Sequence, residues 1–309
     1  MNASPRYRIA LYAAAAIQLI LSAAAYSQAP YYYTVRPQGH GMRNAALAEA
    51  SSADPSDVTS MFWNPGILSF LKDQTIVATH SVDLRTRTNS EHVAGSFMVY
   101  RGLTLAASGS VSHGGKLEPE SGPVVDLKGY GADIAGSYAL MPTLSVGGLF
   151  GVRNTDFGGT TVNYTWAHVG VFYYPSPGIS YGMAYRVTRG HTYWYANLQS
   201  GVIREPDLLQ NLEIGATMMY PSLAERPVVI LALTTEKSFP GVSLFSTKGG
   251  LEVLPTRFLA LRIGFKVGTL ERVARYGIGL QFERFELDFA AGPSRAENRF
   301  SGVSLTVKL

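Results

Sequence analysis

The feature that most constrains this chain is a two-residue hydrophobic period that persists over most of its length. In 258–267, Leu259, Leu261, Ile263, Phe265 and Val267 fall on one side, and Ala260, Arg262, Gly264 and Lys266 on the other. In 275–283, Tyr276, Ile278, Leu280 and Phe282 alternate with Arg275, Gly277, Gly279, Gln281 and Glu283. The last segment alternates Val303, Leu305, Val307 and Leu309 with Gly302, Ser304, Thr306 and Lys308. Successive side chains of a strand point to opposite faces, so the pattern predicts strands with one apolar face rather than amphipathic helices. A soluble sandwich alternates as well. Here, however, the segments run about 9–11 residues, the length a tilted strand needs to cross a bilayer. The polar face is rich in Gly and Ser as well as charge, which suits a curved barrel interior.

Fourteen such segments are expected, at 74–84, 91–100, 103–113, 129–140, 144–154, 162–174, 179–188, 208–219, 228–235, 242–254, 258–267, 273–283, 285–292 and 300–309. The connections at 101–102, 141–143, 175–178, 220–227, 255–257 and 284 are mostly tight. Those at 85–90, 114–128, 155–161, 189–207, 236–241, 268–272 and 293–299 are mostly longer. An even strand number with short turns at one end and long loops at the other describes an outer-membrane barrel of the bacterial type. Tyr100, Tyr173, Tyr174, Tyr220, Phe282 and Phe285 crowd the tight turns, where an aromatic girdle lies in such proteins. The expected fold is therefore an all-β transmembrane antiparallel barrel of about fourteen strands. The competing reading is two soluble β domains in a row.

Composition narrows the field. The chain has 309 residues, 46% of them hydrophobic and only 16% charged, which excludes disorder. It has no Cys, which excludes a disulfide scaffold, thiolate metal sites and a cysteine nucleophile. Beyond residue 27 the longest apolar run is Val228–Leu233, far short of a spanning helix. The formal charge of +4 includes Arg6 and Arg8, and no basic block is present, so nucleic acid is not an expected partner. Residues 1–27 have the layout of a secretory signal peptide: two arginines, the apolar stretch Ile9–Ala25, and Ala25-Tyr26-Ser27 at a cleavage position.

Residues 28–72 do not alternate. They carry Tyr31-Tyr32-Tyr33, an alanine-rich stretch expected to be helical over 43–51, and Asp54-Pro55, expected to start a second short helix over 57–61. A barrel of fourteen strands is too wide for its wall side chains to fill, so this segment is expected to enter the lumen as a plug, ahead of a barrel at 73–309. The turn Trp63-Asn64-Pro65-Gly66 should fix its path. Pro65 sets φ, the Asn64 side chain can bond nearby backbone, and Gly66 permits a sharp bend, which would set the plug against the start of the first strand.

The stretch Gly41-Met42-Arg43-Asn44-Ala45-Ala46-Leu47, then Asp54 and Asp57, then Phe62-Trp63-Asn64-Pro65-Gly66-Ile67-Leu68, resembles the N-terminal signature of the PorV/PorQ family of outer-membrane barrels, itself distantly related to the FadL transporters. It departs from that pattern at Asn44-Ala45, at Gly66-Ile67 and at Leu309. The resemblance implies a plugged fourteen-stranded barrel in the outer membrane of a Gram-negative-type bacterium. It also implies a role in type IX protein secretion, with other secretion-system proteins or secreted cargo as partners besides outer-membrane lipid. The more distant FadL likeness implies a channel for hydrophobic small molecules, with a moving plug and a gap in the wall at strand glycines such as Gly147-Gly148.

No catalytic constellation is legible. The six histidines show no metal-ligand spacing, there is no Gly-x-Ser-x-Gly elbow, and no cofactor is implied. The inner face of the last strands is charged, with Lys248, Glu252, Arg262, Lys266, Arg275, Glu283, Glu286, Asp288 and Lys308. Facing lipid, an Arg or Lys would cost about 2–4 kcal/mol near the midplane, so these residues mark the lumen side. Arg262, Lys266, Arg275, Glu283, Glu286, Asp288 and Lys308 are expected to form a paired network that braces the wall and holds the plug. Tyr193, Trp194, Tyr195 and Arg204, in the long loop 189–207, have the composition of a contact surface. The balanced lumen charge favours the protein-contact function over the hydrophobic channel at this level.

Overall fold

Strands with one apolar and one polar face can satisfy both faces and every backbone group by closing on themselves, apolar side outward. The computed structural model has this form. It describes residues 41–84, 87–117, 125–157, 160–191, 208–221, 227–239, 244–268, 272–292 and 300–309. The strands are β1 (Thr75–Asp83), β2 (Thr88–Tyr100), β3 (Leu103–Leu117), β4 (Val125–Met141), β5 (Leu144–Phe157), β6 (Thr160–Ser176) and β7 (Ile179–His191). They continue as β8 (Leu208–Tyr220), β9 (Val229–Phe239), β10 (Leu244–Val253), β11 (Leu259–Gly268), β12 (Arg272–Gln281), β13 (Phe285–Gly292) and β14 (Phe300–Lys308). Each pairs antiparallel with its sequence neighbours, and β1 pairs with β14, so fourteen strands close into a barrel without an edge.

The alternation divides inside from outside. On β11, Leu261, Ile263 and Phe265 are exposed on the outer surface while Ala260, Arg262 and Lys266 are buried toward the lumen. β2 to β7 and β9 run further at the long-loop end than the segments expected from sequence. The extra residues lie at the end of the long loops, where neither face needs to be apolar and the alternation that defines a strand fades. The girdle residues Tyr100, Tyr220, Phe282 and Phe285 are exposed at the opposite end. Tyr174 differs from expectation: its hydroxyl accepts the Gly178 amide at 3.0 Å and its ring faces Phe70 at 6.2 Å, so it braces a turn instead of facing outward.

Residues 41–68 are almost wholly buried inside the barrel. α1 (Met42–Ala46) is only five residues long, shorter than the expected 43–51, because the chain turns through left-handed backbone at Ala48 and Glu49 (φ 51° and 65°) to follow the wall. Confinement overrides the helix propensity of the alanines. A 3₁₀ turn follows at Val58–Phe62, capped by Asp57, whose carboxylate accepts the Thr59 amide at 2.6 Å. The expected Asp54-Pro55 start is thus displaced to Asp57. A second 3₁₀ turn, Pro65–Phe70, is capped by Asn64 and leads to β1.

Candidate functional site

The seat of the plug is made largely of missing side chains. Three cross-strand glycine pairs face the lumen: Gly147 with Gly170 on β5 and β6, Gly182 with Gly215 on β7 and β8, and Gly250 with Gly264 on β10 and β11. A Cβ at Gly147 would collide with the Pro65 carbonyl, one at Gly182 with the Ser52 carbonyl, and one at Gly264 with Leu47 and Ala48. Plug backbone therefore lies directly on wall backbone. Small hydroxyls complete the seat. Ser137 and Ser145 donate to the Gly66 carbonyl, Ser180 donates to the Ala53 carbonyl, and Ser304 accepts the Met42 amide. The Gly and Ser of the inner face serve this contact as well as curvature.

The Trp63-Asn64-Pro65-Gly66 turn is the hub. The Asn64 amide donates to Ser52 O at 2.8 Å and Val171 O at 2.9 Å, and its oxygen accepts the Gly66 amide at 3.0 Å. The turn docks on β4–β6, not at the start of the first strand as expected from sequence. Gly66 is required for space and not for a left-handed bend, since a Cβ there would lie 3.0 Å from the Gly170 carbonyl. Trp63 packs edge-on to Phe62 within a cluster that includes Val58, Met61 and Leu68 of the plug and Val77, Leu149 and Trp166 of the wall. Each such buried side chain contributes about 1.5–3 kcal/mol.

The other half of the lumen is ionic. Arg43, at the head of the plug, bonds Asp54 at 2.5 Å and Glu252 of β10 at 2.6 Å. Burial alone would lower the guanidinium pKa, but Asp54 and Glu252 beside it raise it well above its ordinary value, so Arg43 is a fixed cation. Glu252 also meets Arg262, which binds Glu286 at 2.9 Å and Asp288. A second cluster joins Lys248 to Glu236 (3.1 Å), Glu213 (3.6 Å) and Glu49 of the plug (3.8 Å), with Arg186 bridging Glu213 to the Phe62 carbonyl. Of the residues expected in one network, the structure brings together Arg262, Glu286 and Asp288. Lys266 is buried four residues further along β11. Arg275 faces inward but lies over the Phe300 ring at 4.5 Å. Glu283 is exposed in the β12–β13 turn, and Lys308 is half-buried at the end of β14, both past the point where alternation governs side-chain direction. Arg43 and Asp54, the link to the plug, were not foreseen as members. Their sequence signal was only an arginine and an aspartate in an alanine-rich stretch that also carries Asn44, Glu49, Ser51 and Ser52.

Behind the plug turn, the wall is one backbone thick. Gly148 faces outward, paired with the outward Gly136 of β4, while its neighbour Gly147 faces inward. On the outer surface this leaves an apolar groove of about 530 Å³, lined by Leu103, Gly136, Gly148, Val169, Met183 and Tyr185 among others. The β4–β5 and β5–β6 ladders run without a register shift through Gly147-Gly148, so the wall is closed there. Tyr193, Trp194, Tyr195 and Arg204 lie outside the described residues.

No family model matches the sequence, and no curated protein matches it. Solved structures do. The chain is similar to the CymD monoaromatic hydrocarbon channel (TM-score 0.66, 11% identity, 88% of this chain and 98% of that one). It is similar to the P. putida toluene transporter TodX (TM-score 0.63, 12% identity, 89% and 99%). It is also similar to a Pseudomonas aeruginosa FadL homologue (TM-score 0.58, 10% identity, 86% and 98%). At these identities the likeness is one of architecture, and the chain has the fold of a FadL-like outer-membrane barrel.

Proposed function

We propose that this protein is an outer-membrane channel for hydrophobic small molecules, closed in this conformation by its plug. The observation that carries the reading is the apolar groove on the membrane face, backed across a side-chain-free wall by the Pro65-Gly66 turn. A lipophile entering from the long-loop end meets the apolar half of the lumen around Trp166 and Phe62. Withdrawal of the turn from Gly147 and Gly170, and parting of the strands beside it, would open a lateral path into the groove. Only hydrophobic cargo gains from leaving a lumen directly into lipid. The hydrocarbon channels that share the fold support the same direction. The reading includes no catalytic step.

The secretion reading rests on the plug signature, without a matching family model or curated relative. Its expected contact loops fall largely outside the described residues. The channel reading is tested by uptake of a labelled monoaromatic hydrocarbon. Cells exporting the protein take it up several-fold faster than cells without it, and Gly148→Trp, which fills the groove from the lipid side, returns uptake to background. Retained heat-modifiable migration shows that the variant is folded. No increase from the wild-type protein overturns the channel. A large β-barrel translocon retained through gentle detergent purification, with no lipophile bound, would reinstate secretion.

A further inference from the structure

The short-turn end of the barrel carries a second feature that the plug and groove do not use. β11 and β12 are neighbours, so the turn at 254–258 and the turn at 282–284 lie side by side. They are tied together by the Gln281 amide donating to the Phe258 carbonyl at 2.8 Å. The Phe258 and Phe282 rings meet at 6.5 Å, and the Phe282 amide closes its own turn on the Phe285 carbonyl at 2.7 Å. Phe258, Phe282 and Phe285 are each about half exposed (49%, 55% and 49%), as outward side chains of the barrel are, and together they bring three rings to two neighbouring turns. The Arg257 guanidinium sits over the Phe258 ring at 4.6 Å. Arg284 is exposed in the next turn. No ion pair to an acid is formed by either arginine among the described residues, and the two turns together carry Arg257, Arg284 and the exposed Glu283, a net charge of one positive.

We propose that these two turns form a binding site for the phosphate headgroup of an anionic phospholipid in the leaflet at the short-turn end. The proposal rests on the membrane-embedded reading above. The three rings lie where strands leave the bilayer, the depth at which acyl chains meet headgroups. Aromatic rings take the acyl boundary, and guanidinium forks match phosphate oxygens in pairs. One net positive charge selects an anionic over a zwitterionic headgroup, because the latter's ammonium would meet the same arginines. Among the other described hairpin turns of this end, 142–143 and 177–178 are uncharged, and the β2–β3 turn offers a lone Arg101 beside Tyr100. Arg101 is therefore an internal control.

The test is native mass spectrometry of the whole protein released from nanodiscs of phosphatidylcholine doped with phosphatidylglycerol. Wild-type protein retains phosphatidylglycerol above its share of the disc, Arg257→Gln with Arg284→Gln lowers that retention about thirtyfold, and Arg101→Gln does not. Heat-modifiable migration of all three confirms a folded, inserted barrel, so failure to insert, which would count against the membrane reading, is separated from failure to bind. Retention of phosphatidylglycerol no better than phosphatidylcholine, or equal retention by the double variant, overturns the site. So does a result in which the double variant loses only a bound acidic protein while keeping its lipid.

Discussion

Arg43 shows how much one buried side chain can carry in this lumen. Its guanidinium neutralises a carboxylate of its own segment, Asp54, and one of the wall, Glu252, with all three almost fully buried. Removing it leaves two buried acids facing each other. Arg43→Gln is expected to destabilise plug docking by about 3–5 kcal/mol, as measured for broken buried ion pairs. The midpoint of heat-modifiable migration reports the loss. Adding Glu252→Gln removes one of the stranded charges and should recover part of it. If the two variants are simply additive, Arg43 and Glu252 are not coupled in the way the geometry states. Asp54 illustrates the other side of the balance: burial raises its carboxyl pKa, and Arg43 pulls it back.

The second 3₁₀ turn is the element that decides where the plug sits. Asn64 holds it with three hydrogen bonds, two of them donated to the Ser52 and Val171 carbonyls. Asn64→Ala removes a donor from the Ser52 and Val171 carbonyls and the acceptor of the Gly66 amide, at about 1–3 kcal/mol in all. The barrel itself should persist. Because the chain has no Cys, a single Ser69→Cys provides a reporter, and its reaction with a soluble thiol reagent should quicken at least tenfold when Asn64→Ala is added. An unchanged rate would show that the turn is held by packing alone. The elements also mark the limits of reading from sequence. The fourteen strands were legible because an apolar outer face and a polar lumen face write a two-residue period into the chain. The long-loop ends of β2 to β7 and β9 were not, since the alternation fades there. The docking of the turn on β4–β6 was hidden as well, because it depends on which strand glycines come into register, and register is a property of the closed sheet. Arg262, Glu286 and Asp288 could be assigned to the lumen by counting alternate positions. Glu283 could not, because the count stops at the end of β12.

At the scale of the whole molecule the lumen has two unlike halves. The aromatic and most aliphatic side chains of the plug meet β1–β6, while ion pairs gather on β7–β11 and β13, where the head of the plug, Met42, Ala45 and Ala46, makes an apolar contact with Ala290. A channel that works by plug movement must break one set of contacts before the other. The direct test is to forbid the movement. Ser52 Oγ of the plug and Thr234 Oγ1 of β9 lie 2.9 Å apart, so these side chains are in direct contact, and Ser52→Cys with Thr234→Cys is the pair to bridge plug and wall. Oxidised, the double variant should take up no more hydrocarbon than cells lacking the protein, and reduction should restore uptake. Uptake that persists with the bridge closed means that cargo crosses without plug movement.

The glycine pairs have a consequence beyond this one barrel. Where two backbones touch with no side chain between them, there is no slack to absorb a change in circumference. Duplicating one hairpin would take the wall from fourteen strands to sixteen and widen it by roughly one seventh, because diameter grows about linearly with strand number. Every contact between plug and wall would open at once, on all sides. Barrels that carry water-filled lumens can grow or shrink by whole hairpins over evolutionary time. This one is gauged by its own contents, and a lineage that changed its strand number would have to rebuild residues 41–70 in the same step.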